Sequence, residues 1–255
     1  MVYLTALSTP FWEKSNAALG QTRSHFYDEA PCMSFLKKPE LLIFDCDGVL
    51  VDSELIATAV HIEALAKCGY IISAEEYNDR FVGMTDQQSY SVIESERGFR
   101  LPEDHHESVM AEIANRYARD LRATSGVRQT LQALNLKKCV ASNSDTTKLC
   151  LALIVTDLHN FFWPHVFSAS QVARGKPAPD LFLFAAQNMK TPANSCLVIE
   201  DSVAGTQAAV AAGMTVIGFV GGSHCLPGHG GKLAEAGAIE LFNDMATLPQ
   251  ILAGL

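Results

Sequence analysis

Apolar residues fall in two alternating kinds of run along this chain. Leu41-Leu42-Ile43-Phe44, Lys138-Cys139-Val140-Ala141, Cys196-Leu197-Val198-Ile199 and Thr215-Val216-Ile217-Gly218-Phe219 are short and almost unbroken. Such runs fit strands buried on both faces of a parallel sheet, which leave no polar face to alternate with. Val166-Phe167-Ser168 is a weaker run of the same kind. Helical spacing fills the stretches between them: Val127 to Leu134, Thr147 to Thr156, Pro179 to Asn188, and Val203 to Ala212. Strands alternating with helices of this length predict a doubly wound, Rossmann-like α/β sheet.

One interval breaks the rhythm. Nearly a hundred residues separate the first strand from the run at 138–141, where a crossover needs only a few tens, roughly. Most of the interval has helical patterning: Leu55 to Lys67, Ala74 to Phe81, Thr85 to Glu96, and Glu103 to Leu121. Gly69, Gly83, Gly98 and Pro102 punctuate it. The expected organisation is an α/β core made of residues 34–52 and 124–255, carrying a helical cap domain over 53–123. Residues 1–33 lack a continuous apolar run, and Glu13, Asp28 and Glu29 do not suit a transit peptide. Met33 stands just before the first strand. Residues 1–33 are therefore expected to be an N-terminal extension, either outside the native start or poorly ordered.

Composition narrows the function. Asp plus Glu number 28 against 19 Lys plus Arg, a net charge of -9. This disfavours a nucleic-acid or anionic-membrane surface, since both need a positive stripe. No apolar stretch reaches the length of a membrane span, so no membrane partner and a cytoplasmic location are expected. The seven cysteines show no paired spacing for a disulfide framework or a zinc site. Cys46, Cys139 and Cys196 sit in apolar runs and are expected in the core.

The polar clusters follow directly on the strands, where open parallel sheets bind ligands. Asp45-Cys46-Asp47-Gly48 leaves the first strand with two carboxylates that would be costly to bury unpaired. Mg²⁺ would offset that cost through hard oxygen ligands, and Gly48 permits a tight turn. A simple acidic turn is the structural alternative. Ser142-Asn143-Ser144 follows the strand at 138–141 and reads either as a phosphate cradle or as ordinary loop and cap residues. In Gly175-Lys176-Pro177-Ala178-Pro179-Asp180, Lys176 either neutralises phosphoryl charge or is a solvated loop lysine. Glu200-Asp201-Ser202 follows the strand at 196–199 and suggests a metal site or a helix cap.

Taken together, DxDGV, SNS, GKPAPD and EDS, in this order and spacing, resemble the four motifs of the haloacid dehalogenase-like hydrolase superfamily. The likeness runs from about Leu41 to Leu252. DCDGVLVDSE, KPAPDLF and EDSVAG resemble in particular its sugar-phosphate phosphatase and β-phosphoglucomutase-like branch. The resemblance implies a Mg²⁺-dependent phosphatase acting on a small phosphorylated metabolite. It implies that Asp45 attacks phosphorus and Asp47 serves as acid and base. Ser142, Asn143, Lys176 and Gly83 would bind substrate, and Asp45, the Asp47 carbonyl, Glu200 and Asp201 would hold Mg²⁺.

Other members of the superfamily have other activities. Dehalogenases typically lack the second aspartate, and Asp47 argues against that reading. A non-enzymatic binding protein on this fold would be expected to lose Asp45 or Asp47, and both are present. Mutases of the branch carry a cap arginine for the substrate's second phosphate, and Asp86 stands at the matching place in Phe81-Val82-Gly83-Met84-Thr85-Asp86. They also carry a histidine where this chain has Ala57. Both departures favour hydrolysis, although helix capping by Thr85-Asp86 explains those two residues equally well. His105-His106 is expected to be solvated and Arg116 to be salt-bridged on the surface. Gly221-Gly222-Ser223-His224-Cys225 reads as a loop with a lesser chance of edging the crevice, and Gly231-Lys232 lacks the other residues of a P-loop.

Overall fold

The computed structural model describes residues 38–98 and 100–255. The expectation for residues 1–33 lies outside the described residues. The elements run β1 (Leu41–Phe44), α1 (Glu54–Lys67), α2 (Ala74–Phe81), α3 (Asp86–Arg97), α4 (His105–Asp120), α5 (Val127–Ala133), β2 (Lys137–Ser142), α6 (Thr146–Val155) and α7 (His159–Phe162). They continue with β3 (Val166–Ser168), α8 (Asp180–Asn188), β4 (Cys196–Glu200), α9 (Val203–Ala211), β5 (Thr215–Phe219), α10 (His229–Ala236), β6 (Leu241–Phe242) and α11 (Leu248–Gly254).

The sheet has the order β3-β2-β1-β4-β5-β6, with every pair parallel. The period of two divides each strand between two cores. Leu42, Phe44, Val140, Leu197, Ile199, Ile217 and Phe219 pack on one face, and Leu41, Ile43, Cys139, Ala141, Cys196, Val198 and Val216 on the other. Cys46, Cys139 and Cys196 are buried as expected. α8 and α9 cover the second face through Leu181, Phe182, Ala208 and Ala209. No helix among the described residues is long and apolar enough to cross a membrane.

The long interval holds α1 to α4, in agreement with its helical patterning. α4 sends Val109, Ile113 and Tyr117 into the first sheet core. A separate small core of Leu65, Tyr70, Ile72, Tyr77, Phe81 and Ile93 holds α1, α2 and α3 together. α3 begins with a capping box in which Thr85 and Gln88 exchange hydrogen bonds. Thr85 is thus the cap, and Asp86 is free for another role.

β6, α10 and α11 were not anticipated. β6 is two residues long, and its pairing to Gly218 and Phe219 at the sheet edge is a tertiary fact with no periodicity of its own. His105 is a correction: it is buried, with its ring edge-on to Tyr90, because α4 turns it towards α3. Only its neighbour His106 is exposed. Arg116 is salt-bridged to Glu63 and Glu112, as expected.

Candidate active site

β1 lies at the centre of the sheet, with β2 on one side and β4 on the other. The chain runs outward from β1 to β3 and then returns to β4, so the ends of β1, β2 and β4 frame the switch point. Asp45 follows β1, Ser142 ends β2, and Glu200 ends β4. The Asp45 N–H donates to the Ile199 carbonyl at 2.9 Å, which continues the ladder one residue past β1 and fixes where the side chain starts.

Lys176 bridges two of these acids. Its Nζ stands 3.0 Å from Asp45 Oδ1 and 2.7 Å from Glu200 Oε2, and the residue is 1% exposed. This excludes the solvated-loop alternative. Burial would lower its pKa, but Asp45 and Glu200 outweigh burial and hold it well above the usual lysine range. Its backbone is fixed by Asn143, whose Oδ1 accepts from the Lys176 N–H at 2.8 Å. Asn143 Nδ2 donates to the carbonyls of Lys176 and Gly83, at 3.1 and 2.7 Å. The amide therefore ties the loop after β2 both to the lysine loop and to the loop after α2.

Asp47 is held by hydroxyls. Ser53 donates to Oδ1 at 2.6 Å, and Ser144 and Ser142 donate to Oδ2 at 2.6 and 3.4 Å. Burial would raise its pKa, but the Lys148 charge and these three hydroxyls bring it below the ordinary aspartate value.

Glu200 is fully buried and accepts from the Ser202 N–H and hydroxyl as well as from Lys176. A Cβ on Gly205 would lie 2.0 Å from its carboxyl carbon, so the opening of α9 needs glycine there. Asp201 is 2% exposed, and its Oδ2 is 2.9 Å from His224 Nε2. His229 Nε2 lies 2.5 Å from the Asp201 carbonyl oxygen. Ser223 latches the same loop to Asp52 through its N–H and hydroxyl. The glycine-rich loop at 221–225 thus braces the site from behind.

Carboxylate oxygens of Asp45, Glu200 and Asp201 lie within 4.8 Å of one another. Asp45 Oδ1 is buried and, apart from the Lys176 ammonium at 3.0 Å, has no hydrogen-bond partner. Burial, then the charges of Glu200, Asp201 and Asp47, push the Asp45 pKa well up against the opposing pull of Lys176. Three buried carboxylates, whose negative charge Lys176 alone does not offset, fit a divalent cation such as Mg²⁺, which would reverse that shift.

A pocket opens beside this cluster. Asp45, Asp47, Ser142, Asn143 and Lys176 line its sheet side. Glu54, Ala57, Thr58, His61, Gly83 and Asp86 line the side formed by the helices of the long interval. Glu200 and Asp201 are buried next to Asp45 and are not among the lining residues. Gly83 has φ +89°, and a Cβ there would lie 3.1 Å from Ser202 Cβ, so the loop after α2 approaches the sheet ends closely. Asp86 Oδ1 is 3.6 Å from His61 Nε2, and Oδ2 is 3.7 Å from His106 Nδ1.

Sequence reasoning missed Glu54, His61 and Lys148, and it gave His224 only as part of a loop with a lesser chance of edging the crevice. Lys148 carried one faint signal, as the only charged residue in the apolar helix α6. The pairing of His224 had no sequence signal, because its partner Asp201 is 23 positions away and met only in the fold.

Buried acids thus gather around a lysine at the switch point of a doubly wound sheet, beside the inserted helices. The chain belongs to the haloacid dehalogenase-like hydrolase family, whose model matches residues 39–213. It is 32% identical to the 6-phosphogluconate phosphatase of Escherichia coli over 75% of this chain and 87% of that one. A conserved haloacid dehalogenase-like protein of unknown function from Agrobacterium tumefaciens superposes with a TM-score of 0.73 at 40% identity, over 84% of this chain and 98% of the other. A family hydrolase from Deinococcus radiodurans, solved with phosphate and sodium, gives 0.66 at 32% identity over 85% and 96%. The fold and these relatives place the chain in the sugar-phosphatase branch, as an enzyme of the phosphatase kind.

Proposed function

We propose that this protein hydrolyses a small phosphate monoester, a sugar or sugar-acid phosphate, with Mg²⁺ as cofactor and through an aspartyl-phosphate on Asp45. The observation that carries the reading is the pairing of two unlike carboxylates on one pocket. Asp45 Oδ1 is buried beside the Lys176 ammonium, whereas Asp47 is held by three serines. The first is suited to attack phosphorus, and the second to move a proton at the ester oxygen. The relative named as a 6-phosphogluconate phosphatase, which is a name for a sugar-acid phosphate substrate, supports the substrate class.

In this reading Asp45 displaces the alcohol, and Asp47 takes up the proton that the phosphate monoanion brings and passes it to the leaving oxygen. Asp47 then takes a proton from water as that water attacks the acyl phosphate. Lys176 and the Ser142 hydroxyl hold phosphoryl oxygens, and Lys176 offsets the charge that develops on them. Asn143 acts through position, since its amide is engaged by Lys176 and Gly83. Asp45, Asp201, the Asp47 carbonyl and the remaining acceptor site of Glu200 would hold Mg²⁺, which shields the nucleophile from the phosphate dianion. α1 to α4 act as the cap over the sheet ends, with Gly83 as the contact point.

The mutase alternative loses support at the cap. Asp86 faces the pocket between His61 and His106, and Ala57 lines the wall, so no cap arginine or histidine is provided at those places.

A phosphate-release screen over sugar phosphates, sugar-acid phosphates, phosphoglycolate, nucleotides and pyridoxal phosphate tests the reading. Mg²⁺-dependent release that disappears in Asp45→Asn is expected. Release that survives Asp45→Asn would overturn the nucleophile, and conversion of β-glucose 1-phosphate with a bisphosphate activator would restore the mutase.

A further inference from the structure

Lys148 is the second lysine on the pocket wall, and nothing in the phosphoryl chemistry uses it. It lies in the first turn of α6 and is 9% exposed. Among the described residues its Nζ has no hydrogen bond and no ion pair, whereas Lys176 is held by Asp45 and Glu200. A helix N-terminus is the wrong end for a cation. Taking an unpaired ammonium out of water costs several kcal/mol, roughly. Neither helix electrostatics nor packing therefore accounts for it.

The acids around it do not satisfy it either. Asp47 is taken by Ser53, Ser142 and Ser144, and Asp86 stands between His61 and His106. They act on Lys148 only through space. Burial would lower its pKa, but Tyr117, Asp47, Asp86 and Glu54 outweigh burial and hold it above the usual lysine range, so the group is a charged ammonium. Three N–H donors and one positive charge are left facing the pocket.

We infer that Lys148 binds a carboxylate on the alcohol half of the substrate, so that the preferred substrates are phosphate esters of hydroxy acids or sugar acids. This rests on the phosphatase reading above. The place of Lys148 selects the half of the substrate: it lines the same pocket as Asp47, the group assigned to the leaving oxygen, and as Glu54 and Asp86, whereas Lys176 is held by Asp45 and Glu200. Its chemistry selects the ligand. A hydroxyl would bring no charge to match the ammonium. A second phosphate dianion would meet a single free ammonium beside Asp47, Glu54 and Asp86. A carboxylate brings one charge and acceptors for the donors.

The test compares matched acid and alcohol esters of two, three and six carbons. The pairs are phosphoglycolate with 2-hydroxyethyl phosphate, 3-phosphoglycerate with glycerol 1-phosphate, and 6-phosphogluconate with glucitol 6-phosphate. For at least one pair, the wild type is expected to favour the acid by about 10- to 100-fold in kcat/KM. In Lys148→Met that ratio falls towards one through a rise in KM for the acid, and Lys148→Arg restores most of it. Wild-type ratios near one for all three pairs would overturn the inference, and this outcome does not depend on any variant folding. A Lys148→Met variant that loses acid and alcohol equally in kcat would also overturn it, placing Lys148 with Asp47 instead. Failure of the phosphatase reading itself looks different: the wild type then releases no phosphate from any ester, p-nitrophenyl phosphate included, with Mg²⁺ present.

Discussion

His224 Nε2 stands 2.9 Å from Asp201 Oδ2, and both side chains are buried. Burial alone would lower the His224 pKa, but the Asp201 hydrogen bond overrides it and pushes the group up to about 11. A histidine raised in this way stabilises the fold fully below its unfolded value near 6.5, and that contribution is lost as pH climbs towards 11. In metal-free protein the melting temperature should therefore fall across pH 7 to 10. His224→Gln should flatten that slope and lower the melting temperature at pH 7. Thermal unfolding in EDTA over this range checks it, and parallel slopes for the two proteins would refute the pairing.

Gly48 touches the same carboxylate. Its φ is +77°, and a Cβ would fall 1.9 Å from Asp201 Oδ2 and 2.7 Å from His224 Cε1. Gly48→Ala should lose both stability and phosphatase activity. Gly69→Ala is the control, because Gly69 has φ +81° with nothing within 4 Å of its Cβ position. It should cost only the left-handed conformation, about 1–2 kcal/mol, and leave kcat unaltered. Comparing the two melting curves and initial rates separates conformation from collision.

Lys176→Met removes the cation shared by Asp45 and Glu200. Turnover should fall by about 10²- to 10³-fold, as when a preorganised donor to a developing charge is lost. Stability should fall as well, by about 3–5 kcal/mol, because two buried carboxylates are left without their partner. Kinetics under saturating substrate and urea unfolding measure the two losses independently.

Mg²⁺ should raise the melting temperature of the wild type, since a ligand of the folded state stabilises it by mass action. The increment should shrink at low pH, where protonated Asp45 competes with the cation; the pKa of Asp45 is raised by burial first and then by the neighbouring acids. Asp201→Asn should weaken the increment at every pH. Thermal shift against Mg²⁺ concentration at pH 5.5 and 8 provides the measurement, and an equal increment at both would count against the carboxylate cluster as the site.

The core strands were legible because a strand buried on both faces must be apolar throughout, as at Leu41–Phe44 and Cys196–Glu200, where only the last residue is charged. The acids were legible because they stand directly after those strands, and the loop positions at strand ends are fixed by the ladder itself. β6 escaped because two residues at an edge carry no period. His105 was placed wrongly because its burial depends on Tyr90, from another helix.

By itself, then, the sequence determined the alternation of strands and helices, the helical interruption after β1, and the four acidic, hydroxyl and lysine clusters at strand ends. Each is local, written in the order of side chains along a few residues. Only the tertiary structure decided which charges meet. It put Lys176 between Asp45 and Glu200, His224 on Asp201, and Lys148 on the pocket wall near Asp47 without a bond to it. Charge pairing acts through space at a few ångströms, and in a doubly wound sheet those ångströms join residues far apart in the chain.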